Sequence, residues 1–325
     1  MVKSIKVNRG EILDKILEVK NLSVGFDIDD KFYYVLNDVN LSFESGKIHC
    51  IAGESGCGKS VFINTILKLL PKNASVKSGE IIFKGENILS LQEKDFNNYR
   101  GSKIALIPQD PFMSLNPLYT VENQLSEINA LKNLPDKQDI IKNALDDVKI
   151  KNIDNVLKSY PHELSGGMKQ RIIIAMALIS GAELILADEP TTALDVTVSN
   201  SILNLLLEFK DKGKTVILIT HDLSIASNFC DTTTIMYLGD VVEYSSSDEI
   251  FSKPLHPYTK ALLNALPSKK GKSLENIKGH IAPITEIISG CKFHPRCNQA
   301  FDKCSDCKPE LKKINSSQVS CLLYL

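Results

Sequence analysis

One glycine-rich stretch, Gly-Glu-Ser-Gly-Cys-Gly-Lys-Ser at residues 53–60, has the residue types and spacing that bind a phosphate. Glycine tolerates backbone conformations that a Cβ atom forbids, so successive N–H groups of this phosphate loop can converge on phosphate oxygens. Lys59 adds a positive charge near the β- and γ-phosphates, and Ser60 offers a hydroxyl to Mg²⁺. The complete pattern predicts binding of a nucleoside triphosphate rather than an incidental turn. The predicted contacts are Gly53, Ser55, Gly56, Cys57, Gly58, Lys59, Ser60 and Val61.

Two adjacent carboxylates, Asp188 and Glu189, have the chemistry that complements such a loop. An aspartate at the end of a strand that faces a phosphate loop binds Mg²⁺ directly or through water. Glu189 can then orient or deprotonate the water that attacks the γ-phosphate. The structural alternative is that both acids only cap the loop before Pro190, but the nearby phosphate loop favours catalysis.

The hydrophobic pattern predicts the elements that must position these residues. Residues 47–52 form a short apolar run typical of a buried strand, and residues 61–70 have the apolar spacing of a helix. Residues 183–187 predict another buried strand, which ends at Asp188. The order of strand, glycine loop and helix is the context that a phosphate loop requires.

A second glycine turn, Leu164-Ser165-Gly166-Gly167, precedes the apolar segment 172–179. Its serine hydroxyl and the N–H groups at the start of a helix can bind a γ-phosphate. Together with the phosphate loop, this turn resembles the signature of the ATP-binding cassette (ABC) transporter ATPases. In that family the signature turn binds the nucleotide held by the opposite subunit, so the resemblance implies a dimer that encloses ATP.

The resemblance assigns roles to further residues at matching positions. Phe26 matches the aromatic residue that stacks on adenine, although a phenylalanine in a strand is equally compatible with a core position. Gln109 matches the glutamine that contacts Mg²⁺ or water and relays the nucleotide state to the membrane partner. Asp195, which ends the sequence Ala-Leu-Asp starting at Ala193, matches a loop that crosses the dimer interface, and His221 matches the histidine that reaches the γ-phosphate. The implied catalytic residues are Glu189, His221 and Gln109, and the implied Mg²⁺ ligands are Ser60, Gln109 and Asp188.

The resemblance also implies the fold, an α/β P-loop NTPase of the ABC type. It has a RecA-like parallel-sheet core, a small antiparallel β subdomain and a helical subdomain. We expect the ATPase domain at residues 14–247 and its helical subdomain at about 91–164, most of which has a helical, polar pattern. A C-terminal extension that contains a cysteine cluster is expected at 248–325. Strand patterns at residues 16–24, 39–43 and 79–83 fit the antiparallel subdomain.

Composition and charge exclude several classes of protein. A chain of 325 residues can hold one large core with an appendage, and its net charge of −1 argues against a protein that coats nucleic acid. The longest apolar run, residues 172–179, is far shorter than the ~20 residues of a membrane-spanning helix. Residues 1–10 lack the features of a secretory signal. We therefore expect a peripheral protein at the cytoplasmic face of the membrane, with the spanning parts supplied by other chains.

Three further stretches narrow the resemblance to the ATPases of oligopeptide and dipeptide importers. They are Leu-His-Pro-Tyr-Thr-Lys-Ala-Leu-Leu at 255–263, Gly-Cys-Lys-Phe-His-Pro-Arg-Cys at 290–297 and Met-Ser-Leu-Asn-Pro at 113–117. The match thus covers nearly the whole chain. Nickel and metallophore importers share this tail and are an alternative.

Five of the eight cysteines, including Cys307, lie in the last 35 residues. A cytoplasmic location disfavours disulfides, whereas four thiolates in one segment can enclose a metal. The family resemblance implies a [4Fe-4S] cluster as a cofactor besides ATP and Mg²⁺. The spacing of Cys304 and Cys307 leaves structural Zn²⁺ as an alternative, and reduced cysteines without metal as another. The implied cluster ligands are Cys291, Cys297, Cys304 and Cys321.

The leading hypothesis is therefore an ATP-hydrolysing subunit that powers import of oligopeptides or dipeptides. The implied partners are a second ABC ATPase subunit, related but distinct, two transmembrane permease subunits and an extracellular substrate-binding protein, with no nucleic acid. A homodimer is also compatible with the sequence. An ABC protein acting on ribosomes or DNA is less favoured, because such proteins usually carry two cassettes or a long coiled coil between the motifs.

Overall fold

The computed structural model describes residues 14–131, 137–192, 194–266, 277 and 279–324. Ala193, the first residue of the predicted Ala-Leu-Asp turn, lies outside these ranges. The described residues form two β-sheets with helices packed around them, which confirms the predicted α/β class.

The strands differ in length, and the first two are the longest, with 14 residues each. In chain order they are β1 (Lys15–Ile28), β2 (Lys31–Glu44), β3 (Ile48–Ala52), β4 (Ala74–Phe83), β5 (Glu86–Asn87), β6 (Ile104–Ile107), β7 (Leu184–Asp188), β8 (Thr215–Thr220), β9 (Thr232–Tyr237), β10 (Asp240–Ser246), β11 (Lys312–Ile314) and β12 (Ser317–Val319).

The helices connect the strands and form a separate layer in the middle of the chain. They are α1 (Lys59–Ile66), α2 (Glu93–Phe96), α3 (Pro111–Ser114), α4 (Val121–Leu131), α5 (Lys137–Asp147), α6 (Ile153–Lys158), α7 (Gly166–Ser180), α8 (Val196–Asp211), α9 (Leu223–Phe229), α10 (Ser247–Ser252), α11 (Pro257–Asn264) and α12 (Lys303–Asp306). Three single 3₁₀ turns cover Pro161–Glu163, His294–Arg296 and Leu322–Tyr324.

The small sheet is antiparallel, with the strand order β2-β1-β4-β5. Its strands contain all three segments predicted for this part of the chain. Leu17, Leu22 and Phe43 are fully buried beneath the sheet, and each such side chain contributes about 1.5–3 kcal/mol by leaving water. The antiparallel β subdomain expected from the sequence is therefore present.

The large sheet has the order β11-β12-β10-β9-β3-β8-β7-β6, and its five strands from β9 to β6 are parallel. Every residue of β3 and β8 is buried, as expected for strands covered on both faces. The predicted strand at 183–187 is present one residue later, at Leu184–Asp188. The polar segment after residue 91 is not wholly helical, because β6 pairs with β7 at the edge of this sheet.

The C-terminal extension contributes two strands to the same sheet. Glu243 in β10 pairs with Val319 in β12, and β12 pairs in turn with β11. The extension is thus bound to the core by backbone hydrogen bonds. Within the described ranges, no helix combines the length and the apolar character needed to cross a bilayer.

Candidate active site

The predicted catalytic residues lie along one edge of the large sheet. The phosphate loop follows β3, His221 follows β8, Asp188 ends β7, and Gln109 lies just beyond β6. These four strands are parallel neighbours in the order β3-β8-β7-β6, so their carboxyl ends meet at the same edge. Residues that are far apart in sequence therefore lie side by side in the order phosphate loop, histidine, carboxylates and glutamine.

The phosphate loop requires glycine at two positions for different reasons. Gly58 caps α1 with a φ of +103°, which side chains rarely adopt. Gly53 lies so close to β9, the neighbour of β3 in the sheet, that a Cβ would lie 2.3 Å from the Met236 carbonyl oxygen. Lys59 is buried, and its Nζ donates to the carbonyl oxygens of Gly53 at 2.8 Å and Glu54 at 3.1 Å. The lysine ammonium is therefore held inside the loop, at the start of a helix.

Asp188 has the features of a cation ligand. Burial raises the pKa of its carboxyl group, while a hydrogen bond from Ser60 opposes that shift. Its Oδ1 atom is buried and has no hydrogen-bond partner. A carboxylate oxygen and a hydroxyl are ligands that Mg²⁺ prefers. The pair therefore fits a magnesium ion, whose charge would compensate the cost of burying the carboxylate.

Glu189 is held by three side chains at a single oxygen atom. Its Oε2 accepts from Gln109 Nε2 at 3.2 Å and from Thr192 Oγ1 at 3.0 Å, and it lies 3.1 Å from His221 Nδ1. Its backbone N–H donates to Ile219 O at 3.0 Å, and its φ is +44°. The structure thus brings the three predicted catalytic residues into direct contact.

Thr192 was not predicted as a site residue. It lies three residues after Glu189, in a turn closed by a hydrogen bond from Thr192 N to Glu189 O at 3.1 Å. A hydroxyl residue at this spacing, in a turn after a strand, is the signal that could have indicated it.

The signature turn lies in a different environment. Ser165 caps α7, where its hydroxyl accepts from Met168 N at 3.4 Å. A Cβ at Gly167 would lie 2.7 Å from Val198 Cγ1, so glycine allows α7 to approach α8. The turn opens onto a cavity of about 340 Å³ that Asp195 also lines. Among the described residues that line this cavity, none belongs to the phosphate loop.

The position of Phe26 is compatible with both of its predicted roles. It is half-buried in β1, opposite Tyr33 of β2 and Ala74 of β4. Its partial exposure leaves a ring face for stacking, but the same burial also suits a side chain that packs against the sheet. Stacking on adenine remains a prediction.

The prediction of a metal centre in the C-terminal extension is wrong. In the part of the chain that the structure describes, no three His, Cys, Asp or Glu side chains are grouped so that they could hold a metal ion. The structure therefore does not support the [4Fe-4S] cluster predicted at Cys291, Cys297, Cys304 and Cys321, or the zinc alternative. Burial raises the pKa of the Cys291 thiol to about 11 and also raises the pKa values of Cys297 and Cys321. Burial therefore disfavours the thiolate form of these three cysteines in the absence of a metal.

Two family models match this chain. One, described as ABC transporter, matches residues 36–192, and the other, described as oligopeptide/dipeptide transporter C-terminal region, matches residues 242–304. The second model begins in β10 and covers most of the C-terminal extension. The two regions noted in the sequence thus each have a known counterpart.

Curated relatives match over nearly the full length. The chain is 41% identical to the oligopeptide transport ATP-binding protein OppD of Escherichia coli, over 91% of this chain and 89% of that protein. It is 39% identical to the dipeptide transport ATP-binding protein DppD of Bacillus subtilis, over 96% of this chain and 95% of that protein.

Solved structures share the fold. A dimeric ATP-binding cassette in a post-hydrolysis state, bound to ADP and Pi, is 27% identical and covers 71% of this chain with a TM-score of 0.64. The match includes 98% of that structure's chain.

Proposed function

Because this chain belongs to the family of ATP-binding subunits of oligopeptide and dipeptide ABC transporters, we propose that it hydrolyses ATP to power peptide import. The observation that carries this proposal is the shared sheet edge. Lys59, Asp188 and Glu189 meet there with Gln109 and His221, although they come from four different strand ends.

The phosphate loop binds the triphosphate of ATP. Its N–H groups and the positive end of α1 attract the phosphate oxygens, and the buried Lys59 supplies a full charge. Phe26 stacks on the adenine ring. Ser60 and Asp188, with Gln109 as a further ligand, would hold Mg²⁺, which would supply positive charge to the phosphates.

Glu189 acts as the general base for hydrolysis. It accepts a proton from the water that attacks the γ-phosphorus, while the bond to the ADP oxygen breaks. Thr192 and Gln109 fix the carboxylate by donating to Oε2. His221 Nδ1 lies 3.1 Å from the same oxygen, and from this position the side chain can reach the γ-phosphate. The contacts thus orient both the base and the groups around the reacting phosphate.

The signature turn serves a second subunit. Ser165, Gly166 and Gly167 open onto a cavity without phosphate-loop residues in the described part of the chain, which supports a nucleotide supplied by another molecule. Asp195 lines the same cavity and lies at the contact between the subunits. Dimerisation of the similar ADP-bound cassette supports this arrangement. The partner is a second ABC ATPase subunit, related to this chain but distinct from it.

The exposed apolar residues next to Gln109 form the docking surface for the membrane subunits. Phe112, Met113, Leu118 and Tyr119 are all more than half exposed, and Met113 reaches 84%. Large apolar side chains are rarely clustered on a surface that faces only water. Their proximity to Gln109 connects the nucleotide site with this surface.

The transporter context supplies the remaining proposals. Two permease subunits and an extracellular substrate-binding protein complete the importer, and this subunit lies at the cytoplasmic face of the membrane. The names of the relatives specify oligopeptide or dipeptide transport, which favours peptides over nickel or metallophores. The ATPase domain at 14–247 and the extension at 248–325 are proposed as functional units, with the helical subdomain at about 91–164.

The substitution Glu189→Gln tests this proposal. It keeps the shape of the side chain but removes the base, so ATP hydrolysis by the assembled transporter should fall about 1000-fold. ATP binding should persist, and uptake of labelled peptide should stop. Glu183→Gln, in an exposed residue next to the same strand, is the matched control and should leave both activities unchanged. Undiminished peptide uptake by the Glu189 variant would refute the mechanism.

A further inference from the structure

Every polar group of Glu54, the second residue of the phosphate loop, is bound by another residue. Its backbone N–H donates to Tyr258 Oη at 3.1 Å, and its carbonyl oxygen accepts from Lys59 Nζ at 3.1 Å. Its carboxylate accepts from Arg296 through both oxygens, with Nη1 to Oε2 at 2.8 Å and Nη2 to Oε1 at 3.2 Å. Two of these three anchors, Tyr258 and Arg296, belong to the C-terminal extension.

The two anchors are themselves rigidly packed. The Arg296 side chain is only 7% exposed, and Tyr258 is fully buried. The ring of Tyr258 packs against Tyr237 at 4.7 Å and Phe293 at 5.1 Å between centroids, and Arg296 Nη1 donates to Tyr237 Oη at 3.3 Å. A two-pronged arginine–carboxylate pair in a buried setting fixes orientation as well as distance.

A buried carboxylate fixes the position of Tyr258. Glu243 in β10 accepts from Leu255 N at 2.7 Å and from His256 N at 2.9 Å. The Nδ1 atom of His256 accepts from Tyr258 N at 3.0 Å and caps α11. The sequence His-Pro-Tyr thus forms a corner that connects the large sheet to the phosphate loop.

We propose that Arg296 and Tyr258 are positioning residues that hold the phosphate loop in its nucleotide-binding conformation by fixing Glu54. Since Lys59 bonds to the Glu54 carbonyl, a shift of Glu54 would also displace the ammonium that binds phosphate. This inference rests on the proposed ATPase function and adds a role for the extension. Because binding equilibria are reciprocal, nucleotide binding should in turn stabilise the extension.

The test is a double-mutant cycle on the full chain, read as affinity for Mg·ADP by titration calorimetry. Glu54→Gln keeps the shape of the side chain but weakens the ion pair, and Arg296→Met removes the guanidinium. Each should weaken binding about tenfold, and the double variant should also lose about tenfold rather than about 100-fold. In the assembled transporter, KM for ATP should rise while kcat stays unchanged. Arg296→Lys keeps the positive charge but cannot form the two-pronged pair with the carboxylate, so it should bind Mg·ADP more tightly than Arg296→Met and less tightly than the wild type.

Lys308→Met is the matched control. Lys308 is a basic residue of the same extension that pairs with Asp240 at 3.2 Å rather than with the phosphate loop. It should bind Mg·ADP like the wild type. If Arg296→Met does not fold, Glu54→Gln alone decides, since its replacement is isosteric.

Several outcomes separate this inference from the function on which it rests. Wild-type affinity in Glu54→Gln, or additive losses in the double variant, would overturn the proposed positioning role while leaving the proposed ATPase function untouched. A loss of thermal stability in Glu54→Gln that accounts for the whole affinity change would also overturn it. Failure of the wild-type chain to bind Mg·ADP would instead refute the proposed function.

Discussion

The two glycine turns of this molecule differ in what surrounds them. The phosphate loop is enclosed by its own chain, with Lys59 inside it, Asp188 beside it and the C-terminal extension bound to Glu54. The signature turn is supported from behind by α8 and opens onto a cavity that it shares with Asp195. The phosphate loop lies beside the predicted catalytic residues of the same chain, whereas Arg171 and Asp195 are the charged residues among those described at the signature cavity.

This difference supports the proposal that the chain carries halves of two different nucleotide sites. The buried Lys59 and the predicted magnesium ligands Ser60 and Asp188 lie at the phosphate loop, and none of them lines the signature cavity in the part of the chain that the structure describes. The signature turn can contribute to binding only when another molecule brings a nucleotide to it. Substitutions at the two turns should therefore affect different measurements.

The largest effect is expected for Gly167→Asp. A carboxylate at the start of a helix favours the helix itself, but it would face the γ-phosphate of a second subunit and repel it. We expect nucleotide-dependent association with the partner ATPase to weaken about 100-fold, measured by sedimentation in Mg·ATP. Binding of nucleotide to the chain's own phosphate loop should be unchanged.

The double substitution Gly167→Ala with Val198→Ala separates packing from charge at this position. It removes the methyl groups that a Cβ at residue 167 would meet, without adding a carboxylate. Association should then stay within about twofold of the wild type. If Gly167→Asp also abolished binding to the isolated chain, the two turns would not be separate half-sites.

A smaller effect concerns the support behind the phosphate loop. Burial, together with the nearby Lys260 charge, lowers the pKa of His256 to about 3. Between pH 7 and pH 5 the unfolded chain gains a proton at this histidine, while the folded chain does not. Stability should therefore fall with decreasing pH, and His256 should account for about 2 kcal/mol of the free energy of unfolding over this range.

The variant His256→Asn isolates this contribution. Asparagine can still accept from the N–H of Tyr258 as a helix cap, but it does not titrate. The wild type should lose about 2 kcal/mol more than the variant between pH 7 and pH 5, measured by urea unfolding. Glu243, whose pKa is raised by burial, is present in both proteins, so its opposite contribution cancels in the difference. Equal pH slopes would contradict the prediction.

The smallest effect is expected for Phe26, whose proposed contact is with the adenine base of the nucleotide. Phe26→Leu keeps an apolar side chain but removes the stacking face, which should weaken ADP binding by about 1 kcal/mol. Phe32 is the comparison residue, because it lines a different cavity that includes Gly56 of the phosphate loop. A loss in Phe32→Leu with none in Phe26→Leu would place the adenine against β2 instead of β1.

The sequence was most informative where chemistry requires a fixed residue pattern. The glycine loop, the carboxylates after a buried strand and the signature turn each predicted their local structure, and β7 begins within one residue of the prediction. The strand β6, which places Gln109, was missed because its four residues lie within a polar, helical stretch. The contacts of Tyr258 and Arg296 with Glu54 join segments that are distant in sequence, which no local pattern encodes.

The cysteine prediction failed for a related reason. The family resemblance implied a ligand set at Cys291, Cys297, Cys304 and Cys321, but no group of described His, Cys, Asp or Glu side chains is arranged to hold a metal ion. Spacing along a chain predicts ligation only when the fold also directs the sulfur atoms to one point. The phosphate loop met that condition because the adjoining strand and helix fix its geometry.

The left-handed backbone at Glu189 limits how this protein can evolve or be engineered. A φ of +44° disfavours a glutamate by about 1 kcal/mol, whereas glycine or asparagine would adopt it readily. A search for thermostable variants would therefore select replacements at this position, and each of them would lack the group that accepts the proton. Local strain and turnover are linked at one residue, so the most heat-resistant form of this enzyme should not be its working form.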